Sequence, residues 1–446
     1  MTPQPQIPLV PVAVYAKRRA ALLASLTPGS VLVHCAAPEV VRSRDTDYPY
    51  RQDSDLLYLT GFPEPEAWLI LSKDFDGACR ELLLCRPKDE LAEVWQGRRF
   101  GPAVAAQHFG LPALCNDVLE QELLQALNGK QTLVFAQGAY AQLDEKIFET
   151  LQTLRTYPKR GYSAPVHITD LRPLTAELRL FKDEHEIALM REAGRISAGA
   201  HKRAMQIAAP GVFEYQLEAE IRHFCAMHGA RQQAYNTIVG GGENGCILHY
   251  TDNNDVLKDG DLVLIDAGGE LAGYAADITR TFPVNGKFTP DQAALYQVVL
   301  DAQYAACAAV KPGNSTRDTI AAAIAELTRG LRDLGILNGD LPTLIAEQAC
   351  KKYFIHGLGH WLGLDVHDVG AYKVADIERP FEPGMVLTIE PGLYIPTGSD
   401  CDPRWWGMAV RIEDDLLVIK DGHLNLTDTA PKTIAEIEAL MAGRSF

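Results

Sequence analysis

No apolar run in this chain is long enough to span a bilayer, no Cys-x-x-Cys pair occurs, and there is no tandem repeat or low-complexity segment. The first absence argues against a membrane-spanning protein, since each transmembrane helix needs about 20 consecutive apolar residues. The nine cysteines are odd in number and scattered through apolar stretches such as "LLLCRP" and "AACAAV". That pattern points to reduced, mostly buried thiols in a cytoplasmic protein rather than to a disulfide framework. Positive charge is also short: 42 Lys+Arg against 58 Asp+Glu gives a net charge of −16. Such a field repels phosphate backbones and anionic lipid, so neither nucleic acid nor a membrane is expected as a partner. In the N-terminal "MTPQPQIPLVPVAVYAKRR" the basic residues follow the short apolar run, the reverse of a secretory signal.

What is present suits a sizeable water-soluble enzyme: 446 residues, 47% hydrophobic and 22% charged, enough for two domains. Residues up to about 175 mix short apolar runs ("SVLVHCAA", "AWLILS", "ELLLC", "QTLVFA") with a few helical stretches and read as a small α/β domain. The character then changes. Asp183 and Glu186 fit a capping box, and Ile187, Met190, Ala193 and Ile196 recur at helical spacing, so the boundary is placed between 175 and 176. Leu217, Ile221 and Phe224 mark a second helix ending near Gly229; Thr289, Pro290 and Gln292 start a third that stops before "KPGN". "DLVLIDAGG", "YAADITRTFPV", "MVLTIEPGLYI" and "MAVRIEDDLLVI" read as strands, rich in β-branched residues and bounded by Gly or Pro. The fold class expected is α/β (α+β): a smaller N-terminal α/β domain, 1–175, and a larger C-terminal domain, 176–446.

Each of those strands carries a carboxylate where a core residue belongs: Asp266, Asp277, Glu390 and Glu413. Any one alone reads as a solvated or paired strand-end acid. A lone buried carboxylate must be protonated, paired or bound to a cation, and four in one domain ask for a cation. Asp277 is expected to begin the strand after Asp266, eleven residues on, across a glycine-rich link short enough to bring the two acids together. Arg411 and Glu413 lie two apart and so share a face, and Pro391 stops the ladder just after Glu390.

The segment "HGLGHWLGLDVHDVG" adds His356, His360 and His367. His356 and His360 are four apart, but Gly357 replaces the glutamate of H-E-x-x-H, and Gly359 and Gly363 disfavour a helix. His185, His201 and His423 read as ordinary core or surface residues. One or two imidazoles with four carboxylates suit manganese, cobalt or zinc, and the number of acids able to bridge suggests two ions. Such a pair can hold a hydroxide and polarise a carbonyl, which is hydrolytic chemistry.

"NTIVGGGENGCILHYTDN", "DGDLVLIDAGGELAGYAADITRTFPVNGKF", "HGLGHWLGLDVHDVG", "MVLTIEPGLYI" and "VRIEDD" occur in an order and spacing that resemble the pita-bread metallopeptidases, in particular the Xaa-Pro aminopeptidase (aminopeptidase P) family. "RDTDYPYRQDSDLLYLTGFPEPEA" resembles the auxiliary N-terminal domain of the same family, so the resemblance covers nearly the whole chain. It implies that Asp266, Asp277, His360, Glu390 and Glu413 hold two divalent metal ions, usually manganese, with Asp277 and Glu413 bridging. It implies that His249, His356 and His367 contact substrate or intermediate, that Arg411 orients site groups, that Tyr372 lines the cleft, and that Trp95 closes the proline pocket, from a neighbouring subunit in one arrangement. The substrates implied are peptides with proline at the second position, the assembly a homo-oligomer, tetramer or dimer. A metal-bridging hydroxide would attack the carbonyl before proline, with Glu390 the candidate for receiving the water's proton. Prolidase, which cuts only Xaa-Pro dipeptides, and a catalytically dead peptide-binding module are the competing expectations.

Overall fold

The computed structural model describes residues 10–443, so the first nine residues, on which part of the reading against an export signal rests, lie outside the described residues. The chain divides into two compact units at Arg179/Leu180. The expected boundary at 175/176 falls inside a helix, Arg172–Leu180, and the next helix begins only at Glu184.

The N-terminal unit is built on a six-stranded mixed sheet in the order Ala113–Cys115, Cys79–Cys85, Trp68–Lys73, Ser30–Cys35, Thr132–Phe135, His167–Asp170. The four short apolar runs of the N-terminal sequence fall on its strands Ser30–Cys35, Trp68–Lys73, Cys79–Cys85 and Thr132–Phe135. Leu119, Leu123 and Leu127 from one helix and Leu143, Ile147, Leu151 and Leu154 from another pack on Val31, Val33, Ile70 and Leu82, each helix presenting an i, i+4 stripe to the sheet. A buried charge pair lies at one end of this sheet: His34 Nε2 is 2.7 Å from Asp53 Oδ1, and Tyr140 donates to Asp53 Oδ2 at 2.8 Å.

The C-terminal unit has four long helices, Glu184–Ile207, Glu214–Met227, Pro290–Ala309 and Thr316–Asp333. Asp183 caps the first with the expected box, accepting from His185 and Glu186 N–H while Glu186 accepts from Asp183 N–H. Thr289 and Gln292 do the same for the third. The fourth, headed by a Ser315–Asp318 box and burying Ala323, Ile324, Leu327 and Leu331 on one face, had no place in the sequence reading.

Two antiparallel assemblies position the acids. Leu262–Asp266 runs between Ile238–Gly241 and Thr279–Pro283, with Asp266 opposite Ile238 and Thr279. The second is a ribbon that breaks in the middle: Val386–Ile389 pairs with Asp414–Ile419, whereas Gly392–Ile395 pairs with Met408–Arg411. Glu390 and Glu413 sit at that break. Pro391 has no N–H to continue the ladder, and its carbonyl accepts only a long 3.3 Å bond from Ile412. Asp277 does not begin its strand as expected; it lies two residues before Thr279–Pro283, where its backbone N–H donates to the Asp415 carboxylate at 3.0 Å instead of to a ladder partner. All nine cysteines are free thiols, five of them buried. No helix among the described residues is long and apolar enough to cross a membrane.

Candidate active site

His360 reaches the acids because its segment runs beside the Val386–Ile389 strand. Thr388 N–H donates to His360 O at 2.9 Å, Glu390 N–H to Leu358 O at 2.8 Å, and Leu362 N–H to Val386 O at 3.0 Å. His360 N–H in turn donates to the Thr388 hydroxyl at 3.1 Å. The approach is close enough that a Cβ at Gly359 would fall on the Thr388 carbonyl oxygen, and one at Gly268 on that of Ala276. Glycine at these two positions is what lets the strands and the histidine segment converge.

The result is a small-volume cluster. Asp277, His360 and Glu413 each offer a donor atom within 4.8 Å of the others. His360 Nε2 stands 3.5 Å from Asp277 Oδ2 and 3.6 Å from Glu390 Oε1. Its Nδ1 faces the Trp361 carbonyl at 3.0 Å, so the proton belongs on Nδ1 and Nε2 is aimed at the acids, the tautomer of a metal-ligating imidazole. Arg411 neutralises Asp266 through a 2.7 Å ion pair. Among the described residues, Asp277, Glu390 and Glu413 have no lysine or arginine within salt-bridge distance.

The electrostatic consequence is direct. Burial, then the neighbouring carboxylates, pushes Glu413 well above the usual carboxylate range. Burial and the charge of Asp266 raise Asp277, and burial pushes Glu390 up to about 7 against the pull of His360. Burial opposes the charged form of His360, but Asp277 and Glu390 outweigh it and lift His360 to about 9. Acids this crowded and this short of internal cations fit hard divalent ions held by oxygen donors and one imidazole.

Around the acids the structure places every other residue expected in the C-terminal unit. Two adjoining cavities of about 280 Å³ each share His249, Asp266, His360, His367 and Glu390 in their walls. The His367 ring is 4.0 Å from that of His360; burial and the two nearby imidazoles, His360 and His249, lower it. Both ring nitrogens of His356 are engaged within the protein, Nδ1 with Gly357 O at 2.6 Å and Nε2 with the Tyr394 hydroxyl at 2.8 Å. Its Nδ1 also lies 3.7 Å from Glu390, and burial with the Arg411 charge holds it down to about 4. Arg411 ties the site together, donating to Asp266, to the Tyr394 hydroxyl at 2.8 Å and to the Thr279 hydroxyl at 3.0 Å. The Thr279 hydroxyl in turn donates a hydrogen bond to Glu413 at 2.6 Å.

Tyr372 lies against a smaller hollow that it shares with His360 and Thr388. Its ring stacks on Trp361 with centroids 5.1 Å apart and its hydroxyl accepts from Trp361 N–H. Trp361 itself is fully buried and supports Tyr372 from behind. Trp95 belongs to the N-terminal unit, on the short helix Glu90–Gln96, with 82% of its surface exposed. The sequence reading missed Tyr235, whose hydroxyl lies 2.6 Å from Asp266 Oδ1 and 2.5 Å from Asp277 Oδ1. Burial and the charges of Asp266 and Asp277 raise its phenol well above its ordinary value, so it is a proton donor to both acids. Tyr394, Thr279 and Thr388 were missed too; the only signal is a hydroxyl repeatedly placed on the strands that carry the acids.

Comparison with known proteins agrees with this geometry. Residues 188–420 match Metallopeptidase family M24, and residues 15–135 match the aminopeptidase P N-terminal domain. The Xaa-Pro aminopeptidase of Escherichia coli strain K12 is 49% identical, over 96% of this chain and 97% of its own length. Among solved structures, proline aminopeptidase P II from Yersinia pestis superposes with a TM-score of 0.95 at 52% identity, covering 97% of this chain and all of that one. Zinc-substituted E. coli aminopeptidase P in complex with product gives a TM-score of 0.96 at 48% identity, covering 98% of this chain and all of that one. The chain belongs to metallopeptidase family M24, with its pita-bread catalytic domain. Within that family it is of the aminopeptidase P type, since both of that enzyme's domains are present in order.

Proposed function

We propose that this chain is a dinuclear metal-dependent aminopeptidase that hydrolyses the bond between an N-terminal residue and a following proline. The observation that carries the reading is the convergence of Asp277, His360 and Glu413 in a cleft shared with Asp266 and Glu390, in a chain matched along nearly its whole length by Xaa-Pro aminopeptidases. Asp266, Asp277, His360, Glu390 and Glu413 would hold two ions, manganese by preference. When bound, such a pair polarises the scissile carbonyl and supplies a hydroxide nucleophile from water at neutral pH.

The rest falls to the protein. His249 and His367 face the cavity and would hold the carbonyl of the bond to be cut. Arg411 holds Asp266 in place through a 2.7 Å charged hydrogen bond. His356, held between Tyr394 and Gly357 and kept neutral by burial and the Arg411 charge, stands beside Glu390, the candidate for receiving the water's proton and passing it to the leaving imide nitrogen. A bond to proline has no N–H to offer and a ring of fixed φ, so its recognition rests on shape, with Tyr372 as part of the wall. Trp95 would close the proline pocket from a neighbouring subunit of a tetramer or dimer. In support, Leu91, Val94 and Trp95 are 73%, 78% and 82% exposed, an apolar cluster of the kind that marks a contact surface. Free thiols and the acidic charge balance support a cytoplasmic setting.

The test is a manganese-supplemented time course, read by mass spectrometry, on an equimolar Xaa-Pro-Xaa tripeptide and Xaa-Pro dipeptide with a chelated control. Release of the first residue from the tripeptide, abolished by chelation, is expected. Cleavage of the dipeptide alone would reassign the chain to prolidase chemistry, and cleavage of neither would leave a peptide-binding module.

A further inference from the structure

His249 sits in a loop that has to be held against the cleft from outside it. The loop leaves the Ile238–Gly241 strand, makes a short 3-10 turn over Gly242–Cys246, and returns at Asp255. His249 itself is exposed, and so are Glu243 and Ile247, while Cys246, Leu248 and Tyr250 pack partly buried on Ile238, Leu264, Tyr394 and Ala409. One buried carboxylate gathers the loop's polar groups. Glu214, the first residue of the Glu214–Met227 helix, is fully buried. Its Oε1 accepts from Gly241 N–H at 2.8 Å and Asn244 Nδ2 at 3.1 Å, and its Oε2 from the Tyr250 hydroxyl and Asp255 N–H, both at 2.9 Å.

Those four donors come from the start, the turn, the far limb and the end of the loop, and they fill the roughly four acceptor sites of a carboxylate. None comes from a proposed metal ligand. Asn253, held at a left-handed φ of 50°, adds a second clamp, accepting from Val239 N–H at 3.0 Å and donating to Thr237 O at 3.0 Å. Tyr250 is the anchor that matters for His249, because it is the next residue and its hydroxyl runs straight to Glu214.

We propose that Glu214 is a positioning residue for His249: through Tyr250 it fixes the imidazole's reach into the cleft, independently of the metal site. The inference rests on the reading that His249 contacts the substrate. It makes the N-terminus of that helix part of the substrate-binding apparatus, although Glu214 lines neither of the two cavities.

The test is a double-mutant cycle on the metal-loaded full chain with an Xaa-Pro-Xaa tripeptide, at enzyme concentrations high enough to follow a slow background, with bound manganese measured for every variant. Y250F, which removes one hydroxyl, is expected to lower kcat/KM about tenfold, or about 1.4 kcal/mol, at unchanged metal stoichiometry. E214Q, which turns one accepting oxygen into a donor facing two donors, is expected to lower it further. In an H249A background Y250F should have no further effect, since the residue it positions is gone. A full Y250F loss persisting in H249A would overturn the role of Glu214 while leaving His249 in the site. No loss in either Y250F or E214Q would overturn it as well, and an H249A variant as active as the parent would remove His249 and Glu214 together. Should E214Q fail to fold, Y250F alone carries the cycle.

Discussion

Glu413 and Asp414 are neighbours in the chain and equally buried, yet they face opposite electrostatic worlds. Asp414 accepts from Arg280 Nη2 at 2.7 Å, Lys432 Nζ at 2.6 Å, Gln303 Nε2 at 2.8 Å and the Thr427 hydroxyl at 3.0 Å. Burial works against its charge, but the Arg280 and Lys432 cations win and hold it below the usual range. Glu413, on the other face, has a threonine hydroxyl and three other carboxylates nearby, and its proton is held far more tightly. The fold thus supplies its own cations on one side of the residue pair and withholds them on the other. The withheld side is where external cations fit.

Breaking each side should give different failures. Asp277→Asn, or removal of metal by chelation, is expected to cost at least about a thousandfold in turnover; loss of bound metal by elemental analysis with intact circular dichroism would confirm that the defect is in the site. An Asp277→Asn protein that kept full metal and activity would end the five-ligand reading.

Asp414→Asn is expected to do the reverse. It leaves Arg280 and Lys432 buried without their anion, so denaturant titration should show a loss of about 3–5 kcal/mol, while the folded fraction still binds metal and turns over. Equal effects on metal content from both variants would erase the distinction between the two faces.

A smaller effect separates the N-terminal unit from both. Burial disfavours a charged His34, but Asp53 overrides it and raises the imidazole above its ordinary value. Asp53 is likewise opposed by burial, and His34 brings it down to about 2. A raised histidine stabilises below its unfolded value near 6.5 and loses that contribution as pH rises through the folded one; a lowered aspartate stabilises above its unfolded value near 3.8 and loses it as pH falls toward 2. The pair should therefore contribute most between about pH 4 and 6.5, on the order of 2 kcal/mol for Asp53. Hydrogen exchange of the Ser30–Cys35 strand in the wild type against Asp53→Asn, across that range, measures it. A flat difference would show that the pair does not titrate on unfolding.

The acids of the site were legible because a carboxylate inside a β-branched apolar run is costly and rare. Their order along the chain was legible too. "RIEDD", however, offers three acids in a row, and sequence alternation could say only that Glu413 and Asp415 share a face. They do: Asp415 accepts from Asp277 N–H, while Asp414 turns away to Arg280. Which face looks at metal depends on Arg280, more than 130 positions earlier, and on Lys432, and no local pattern encodes that. Tyr235, Tyr394, Thr279 and Thr388 escaped notice for a related reason. Tyrosine and threonine are ordinary strand formers, and nothing local distinguishes a hydroxyl that packs from one that orders a carboxylate.

The two glycines under the converging strands set a limit on how this enzyme can be redesigned. Any side chain at Gly268 or Gly359 collides with a carbonyl that belongs to the neighbouring segment, so neither position can be traded for specificity by adjusting a rotamer nearby. A mutational library aimed at new peptide preferences would waste its members there. The Lys373–Glu378 hairpin just after Tyr372 is open ground: Val374 and Ile377 face each other across it, 56% and 71% exposed, and variation at that lip leaves the convergence of the acids untouched.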